Sequence, residues 1–219
     1  IQQTVFLDFE SGTNFIFDHF YTQAERDAIQ TRLEEIYGEF TVQFTQTRPV
    51  FGLFSTIFIN QPPTGGLADE IDFRNLNLGL NATVDVNGLL GGFGDPPATS
   101  ANFIELTVKV VAHELGHLMG LRHGDAYGPI GSGIGAQPGR AAYTPAYPGP
   151  TGANESNNHI MGSPASTGES LLDAVSDQYF GARSAVKLAF FSFQGQVLGE
   201  QFGPHDTSST ADVHQTKRP

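Results

Sequence analysis

Histidine and glutamate side chains with the spacing of a metal site lie near the middle of the chain. His113 and His117 are four residues apart, so on an α-helix both imidazoles project from one face and can reach the same ion. Glu114 points away from that shared direction, where it can contact a water on the ion rather than the ion itself. Gly120 can adopt a positive φ and end the helix, which lets His123 approach the ion from another side.

This pattern predicts a catalytic metal site. Three neutral imidazole ligands leave the fourth tetrahedral position open, and Zn²⁺ favours such nitrogen ligands. Zinc lowers the pKa of a bound water to about 7, so Glu114 is expected to act as general base and then as proton donor to the leaving group. The full pattern arises by chance in roughly 4 of 100,000 chains of this composition. That frequency disfavours the alternative of ordinary histidines on an amphipathic helix.

The sequence leaves undecided which other residues bind the metal or assist the reaction. Glu155 is an alternative third ligand, as in peptidases that use only the two-histidine core. Asp125, two residues after His123, is either a carboxylate that orients this ligand or a solvated turn residue. Four tyrosines are candidate hydrogen-bond donors to an oxyanion, with a structural role favoured for each: Tyr127, Tyr143, Tyr147 and Tyr179.

The composition narrows the class of function. Eleven Lys and Arg against 23 Asp and Glu give a net charge of -12, which repels phosphate backbones and excludes a nucleic-acid partner. The chain has no cysteine, so any metal must be held by His, Asp or Glu. No stretch approaches the roughly 20 apolar residues that span a bilayer. The acidic, Gly-rich, Lys-poor composition favours a secreted protein, and a start at Ile1 is expected if a signal or pro-segment has been removed.

The elements around the motif are predicted from periodicity and helix caps. Three apolar, β-branched or aromatic runs predict strands: Thr4–Phe9, Val42–Thr47 and Phe54–Asn60. Thr22 and Glu25 form a capping box at the start of an amphipathic helix. Ser100 is expected to cap a second helix, which carries the motif and runs to about Gly120.

The remaining segments are less regular. Residues 61–100 contain Gly- and Asn-rich turns, with one short strand expected around Val84–Val86. Residues 124–168 are rich in Gly, Pro, Ser, Ala and Asn and have no apolar periodicity, which is typical of a functional loop. Ser176 is expected to cap a third helix that includes Tyr179.

The run from His113 to His123 resembles the extended zinc-binding motif of the metzincin clan of metallopeptidases. Met161, in the sequence His-Ile-Met-Gly-Ser-Pro, resembles the Met-turn that these peptidases place beneath the metal. Within the clan the chain is most similar to the matrixin and serralysin groups, because Pro164 follows Met161 by three residues and cysteine is absent. The resemblance implies a zinc-dependent endopeptidase that acts on proteins or peptides.

The predicted elements and this resemblance imply an α+β fold. A twisted mixed N-terminal sheet with two long helices is expected to face a smaller, loop-rich C-terminal subdomain that ends in a helix, with the active-site cleft between them. We expect one catalytic domain over residues 1–202, divided near residue 120, followed by a disordered tail at 203–219. A monomer is the default expectation.

Two alternative hypotheses place the protein in functional classes other than the peptidases. In the first, the scaffold is a non-catalytic binding or adhesion module in which zinc is structural. In the second, the protein is an acidic, calcium-dependent surface protein. Structural calcium is a further possibility for the peptidase itself, from acidic residues beside Gly- and Asn-rich turns: Asp69, Glu70, Asp72 and Asp85. Their spacing matches no calcium loop, so a solvated acidic face is the favoured interpretation.

Overall fold

A five-stranded mixed sheet with helices packed against it organises the described part of the chain. The computed structural model describes residues 2–14, 16–72, 75–123, 159–162 and 179–192, with the side chains at 182, 183, 191 and 192 left out. The α+β class predicted from the sequence is confirmed. Within these ranges no helix has the length and apolar character needed to cross a membrane.

The sheet is parallel except at one edge. Its strands are β1 (Gln3–Asp8), β2 (Val42–Thr45), β3 (Ser55–Ile59), β4 (Gly65–Ala68) and β5 (Asn81–Asp85), in the order β2-β1-β3-β5-β4. The pairs β1–β2, β1–β3 and β3–β5 are parallel, whereas β4 runs antiparallel to β5 with Leu67 opposite Thr83. Apolar side chains such as Val5 and Ile57 are fully buried in the core behind this sheet.

The described part of the chain contains three helices, and the first two have side-chain caps at their N-termini. They are α1 (Gln23–Ile36), α2 (Ser100–Leu118) and α3 (Ala182–Ser192), with a short 3₁₀ turn at Asn87–Leu89. The capping box of Thr22 and Glu25 is present at the start of α1. Thr99 caps α2, since its side chain accepts a hydrogen bond from the Asn102 backbone N–H.

Two tyrosines from the α1 region fix α2 against the rest of the core. α2 packs over β4 and β5, and α1 packs against both α2 and β2. The Tyr21 and Thr107 hydroxyls are 2.7 Å apart, and the Tyr37 hydroxyl donates to the Ala112 carbonyl at 2.8 Å. Both phenols are buried. The second contact holds the backbone of α2 one residue before His113.

The structure corrects several predicted boundaries. β4 was not predicted, because its sequence Gly-Gly-Leu-Ala has low strand propensity and pairing with β5 stabilises it instead. The N-cap of α2 is Thr99, and Ser100 is the first helical residue. Tyr179 is not part of the third helix, because it forms a β-bridge with His159 before α3 begins. Ser176 lies outside the described residues, and the division near residue 120 and the tail remain predictions.

Glu25 joins the N-termini of α1 and α2 and supplies a pH-dependent contribution to stability. Its carboxylate accepts hydrogen bonds from the Ser100 hydroxyl at 2.6 Å and from the Thr22 backbone N–H at 2.7 Å, and it lies 3.2 Å from His19 Nε2. Burial alone would raise the pKa of Glu25, but the hydrogen bonds from Ser100 and Thr22 and the charge of His19 outweigh it, so the pKa is lowered.

We expect Glu25→Gln to lower the free energy of unfolding at pH 7 by about 1–3 kcal/mol. A carboxylate whose pKa is lowered by folding stabilises the protein above its unfolded-state pKa, and this contribution is lost as the pH falls through the folded-state pKa. Urea unfolding at pH 7 and near pH 3 should therefore show a difference from wild type that shrinks in acid. Glu34→Gln is the control, since Glu34 is exposed on the same helix. A difference that does not change with pH would contradict this account.

Candidate metal centre

His113 and His117 lie on one face of α2 with their rings close together. Both residues are buried, and their ring centroids are 4.8 Å apart. His113 Nδ1 is 2.6 Å from the Ile160 carbonyl oxygen, and His117 Nδ1 is 2.9 Å from the Leu121 carbonyl oxygen. A carbonyl only accepts hydrogen bonds, so each Nδ1 carries the proton and each Nε2 carries the lone pair.

The chain reversal after α2 brings the third histidine to the same point. Gly120 has a φ of +86°, and its N–H donates to the His117 carbonyl at 2.9 Å. The Leu121 N–H then donates to the Gly116 carbonyl at 2.8 Å, which closes the helix end. His123 Nε2 consequently lies 3.0 Å from Nε2 of both His113 and His117. The predicted role of Gly120 in turning the chain is thus observed.

These three nitrogens have the chemistry of a zinc site. Ligand nitrogens of His113, His117 and His123 all lie within 4.8 Å of one another. Two zinc-bound nitrogens in tetrahedral geometry are separated by about 3.3 Å, from a Zn–N bond of about 2.0–2.1 Å. Hydrogen bonding alone does not explain the cluster, because a single proton on His123 Nε2 can bind only one of the two lone pairs that face it.

Burial and neighbouring charges keep His113 and His123 in the neutral form that binds a metal. Burial, followed by the charges of His117 and His123, lowers the pKa of His113 to about 3. Burial and the charge of His117 lower the pKa of His123 to about 4. Metal binding requires neutral imidazole, so neither ring has to lose a proton at neutral pH before it can act as a ligand.

Glu114 follows His113 on α2 but is not part of the histidine cluster. The residue is buried, and it is not a member of the converging ligand group. Burial raises the pKa of Glu114 to about 7, while a hydrogen bond from the backbone of Ala68 acts in the opposite direction. A nearby divalent cation favours the carboxylate and would lower this pKa again. A side chain placed in this way can exchange protons near the metal rather than bind it.

Residues 159–162, which are distant from α2 in the sequence, contact the histidine cluster through His113. The Ile160 carbonyl accepts the hydrogen bond from His113, and the Gly162 N–H closes a turn onto the His159 carbonyl at 2.9 Å. Met161 is fully buried within this turn. A Cβ added to Gly116 would overlap the Met161 sulfur, so the glycine between the two helical histidines leaves space for this methionine.

Other predicted residues fall into two groups. Asp125, Glu155, Tyr127, Tyr143 and Tyr147 lie outside the described residues. Asp69, Asp72 and Asp85 accept hydrogen bonds from the backbone N–H groups of Asn81, Asn77 and Asn87, respectively, which gives them local structural roles. The histidine cluster is the one group of three or more candidate ligands in the described part of the chain, so calcium receives no support.

Several groups that position the site residues could not be identified from the sequence, because they are backbone carbonyls or glycines. The carbonyls of Leu121 and Ile160 fix the histidine tautomers, yet any residue has a carbonyl. Gly66 lies close to Glu114 and Gly116 lies close to Met161, but the sequence presents Gly66 only as part of a Gly-Gly pair typical of a loop. A glycine between two ligands on a buried helix is the one available hint, since glycine is unfavourable inside a helix unless another group approaches closely.

Comparison with known proteins supports the same class. Residues 97–177 match a family model described as dual-action HEIGH metallo-peptidase. The match covers less than half of the chain, and it includes the three histidines, Glu114 and Met161. Residues 113–117 read His-Glu-Leu-Gly-His, so this chain has Leu115 where the HEIGH pattern has isoleucine. No curated protein and no solved structure gives a significant match. Together, the family match and the histidine cluster support a zinc metallopeptidase that acts on proteins or peptides.

Proposed function

We propose that this protein is a zinc-dependent endopeptidase with His113, His117 and His123 as metal ligands and Glu114 as general base. The observation that carries the proposal is the convergence of three imidazole nitrogens, two of them oriented by backbone carbonyls, together with the burial of Glu114, the residue after His113 on α2. Three protein ligands are typical of catalytic zinc sites, whereas structural sites have four.

The free edge of β4 supports action on internal peptide bonds. β4 pairs with β5 on one side, and no other described strand pairs with its opposite edge. Gly66 of this strand lies against Glu114. An extended substrate can add to such an edge through main-chain hydrogen bonds, which do not depend on a free terminus. This geometry favours an endopeptidase over an enzyme that recognises chain ends.

Each protein group has a defined task in the proposed hydrolysis. When bound, zinc supplies Lewis-acid polarisation of the scissile carbonyl and increases the acidity of a water. Glu114 accepts a proton as the water attacks the carbonyl and donates it to the leaving amine. His113 and His117 are held by their Nδ1 hydrogen bonds, so their ring orientations do not change during turnover.

The metzincin resemblance supports the finer assignments in this proposal. Met161 is assigned as the Met-turn residue, because it is buried beneath Gly116 in a turn whose neighbouring carbonyl binds His113. The matrixin and serralysin groups remain the proposed relatives, and a secreted location is proposed from composition. A net charge of -12 favours encounter with basic or neutral protein substrates.

Metal analysis combined with a cleavage assay tests the function. The full chain should contain about one zinc ion and cleave internal bonds of casein. We expect 1,10-phenanthroline to abolish cleavage and added zinc to restore it, because the activity depends on the metal. Mass spectrometry of the products distinguishes internal from terminal cleavage.

Two outcomes would count against the proposal. Full zinc occupancy without cleavage of casein or of a broad peptide library would favour a non-catalytic zinc module. Cleavage that is insensitive to the chelator would exclude the metal mechanism.

A further inference from the structure

Gly66 lacks a side chain at the point where β4 meets Glu114. A Cβ built at Gly66 would lie 2.5 Å from Glu114 Oε1, 2.6 Å from its Cγ and 2.8 Å from its Cδ. Real Cβ atoms essentially never approach another heavy atom closer than 3.0 Å. Three atoms of one carboxylate side chain thus occupy the space that any other residue at this position would fill.

Two adjacent glycines of β4 are required for different reasons. Gly65 has a φ of +93° and nothing within 4 Å of its Cβ position, so its backbone conformation is what favours glycine there. Gly66 does not have a positive φ in the left-handed region. Its backbone conformation does not exclude alanine, and the three atoms nearest to its Cβ position all belong to the Glu114 side chain.

The surrounding contacts hold the backbones of β4 and α2 in place. A larger residue at position 66 would therefore displace the Glu114 side chain. β4 is held by its antiparallel pairing with β5, and the Asp69 N–H at its end bonds to the Asn81 carbonyl at 2.9 Å. The backbone of α2 is buried and is held at Ala112 by Tyr37. Rotation of the flexible Glu114 side chain is therefore the easiest way to relieve an overlap.

The backbone of β4 also acts on the charge of the same carboxylate. Because successive N–H groups of a strand point to opposite sides, the Ala68 N–H points away from β5 when the Asp69 N–H points toward it. The Ala68 backbone lowers the pKa of Glu114, against the larger effect of burial. Gly66 and Ala68 are two residues apart on β4, so both face the side of the strand where the Glu114 carboxylate lies.

We propose that Gly66 is a positioning residue for Glu114, because its missing side chain lets the carboxylate lie against β4 in the orientation needed for proton transfer. This inference rests on the proposed function for its effect on catalysis. Its structural part, a direct steric coupling between positions 66 and 114, does not depend on peptidase activity.

Kinetics of Gly66→Ala test the catalytic part. We expect kcat for peptide cleavage to fall about 10- to 100-fold, since a displacement of about 1 Å can reduce a rate by that amount. KM should change by less than about threefold and the zinc content should stay at the wild-type level. Gly79→Ala is the matched control, because a Cβ there makes only ordinary contacts of 3.6 and 3.9 Å. Unchanged kcat, or a rise in KM alone, would overturn the positioning role.

A thermal double-mutant cycle tests the steric part without an activity assay. At saturating zinc, Gly66→Ala should lower the Tm of the otherwise wild-type protein by about 3–8 °C. In a Glu114→Ala background, where the obstructing atoms are absent, the same change should lower it by less than about 1 °C. If Gly66→Ala prevents folding alone, the double variant should still fold. An equal loss in both backgrounds, or no loss in either, would overturn the proposal, whereas an inactive wild-type protein would contradict only the proposed function.

Discussion

Replacing Glu114 by alanine should abolish peptide hydrolysis while one zinc ion per chain remains bound. Glu114 is outside the converging ligand group, so its removal leaves all three imidazole nitrogens in place. General base catalysis contributes about 10²–10⁴-fold to a rate, and we expect kcat to fall by about 10³-fold. Steady-state cleavage of a fluorogenic peptide and zinc analysis of the same sample measure both quantities.

Glu114→Gln sharpens this test because it changes the chemistry and keeps the shape. The amide fills the same space beside Gly66 and can still accept a hydrogen bond, but it cannot take a proton from water. Glu105→Gln is the matched control, since Glu105 lies on the same helix and pairs only with Arg32 in the described part of the chain. Turnover retained by Glu114→Gln would exclude this residue as the base. Loss of zinc from it would indicate a ligand instead.

The first two helices and the arrangement of the three histidines could be predicted because local physics determines them. A capping box needs two side chains three residues apart, and Thr22 and Glu25 form it as the sequence indicated. The spacing of His113 and His117 places both rings on one face of any α-helix, whatever packs around it. Gly120 reverses the chain because its positive φ is accessible to glycine.

The features that could not be predicted from the sequence depend on contacts between residues that are distant in the chain. β4 has weak strand propensity and exists through pairing with β5, which no pattern within Gly65–Ala68 reveals. The tautomer of His113 is fixed by the Ile160 carbonyl, 47 residues away. Gly66 also reads as an ordinary loop glycine until α2 is placed against it. The residues with the chemistry of the site are therefore recognisable from a short stretch of sequence. The contacts that orient their side chains arise only in the tertiary fold.

Replacing His123 by alanine should weaken zinc binding by about 100-fold or more, and activity should fall with zinc occupancy. Loss of an outer group that only orients a ligand typically costs about 10- to 100-fold in metal affinity, so loss of a ligand itself should cost at least the upper value. His123 Nε2 is 3.0 Å from Nε2 of both His113 and His117, so in the proposed site it is one of three donors. Competition with a chromophoric chelator measures the zinc affinity.

His159→Ala and Glu155→Ala complete this test by separating the candidate ligand sets. His159 lies next to Ile160 but is not a member of the ligand group, so its loss should leave zinc affinity within about threefold of wild type if the cluster alone binds the metal. Glu155 is the alternative third ligand that the sequence left open, and the three-histidine assignment predicts wild-type affinity for Glu155→Ala. Tight zinc binding by His123→Ala together with weak binding by Glu155→Ala would replace the three-histidine site by a two-histidine, one-carboxylate site. In that case, the proximity of the His123 ring would be a packing contact and Gly120 would serve only to end α2.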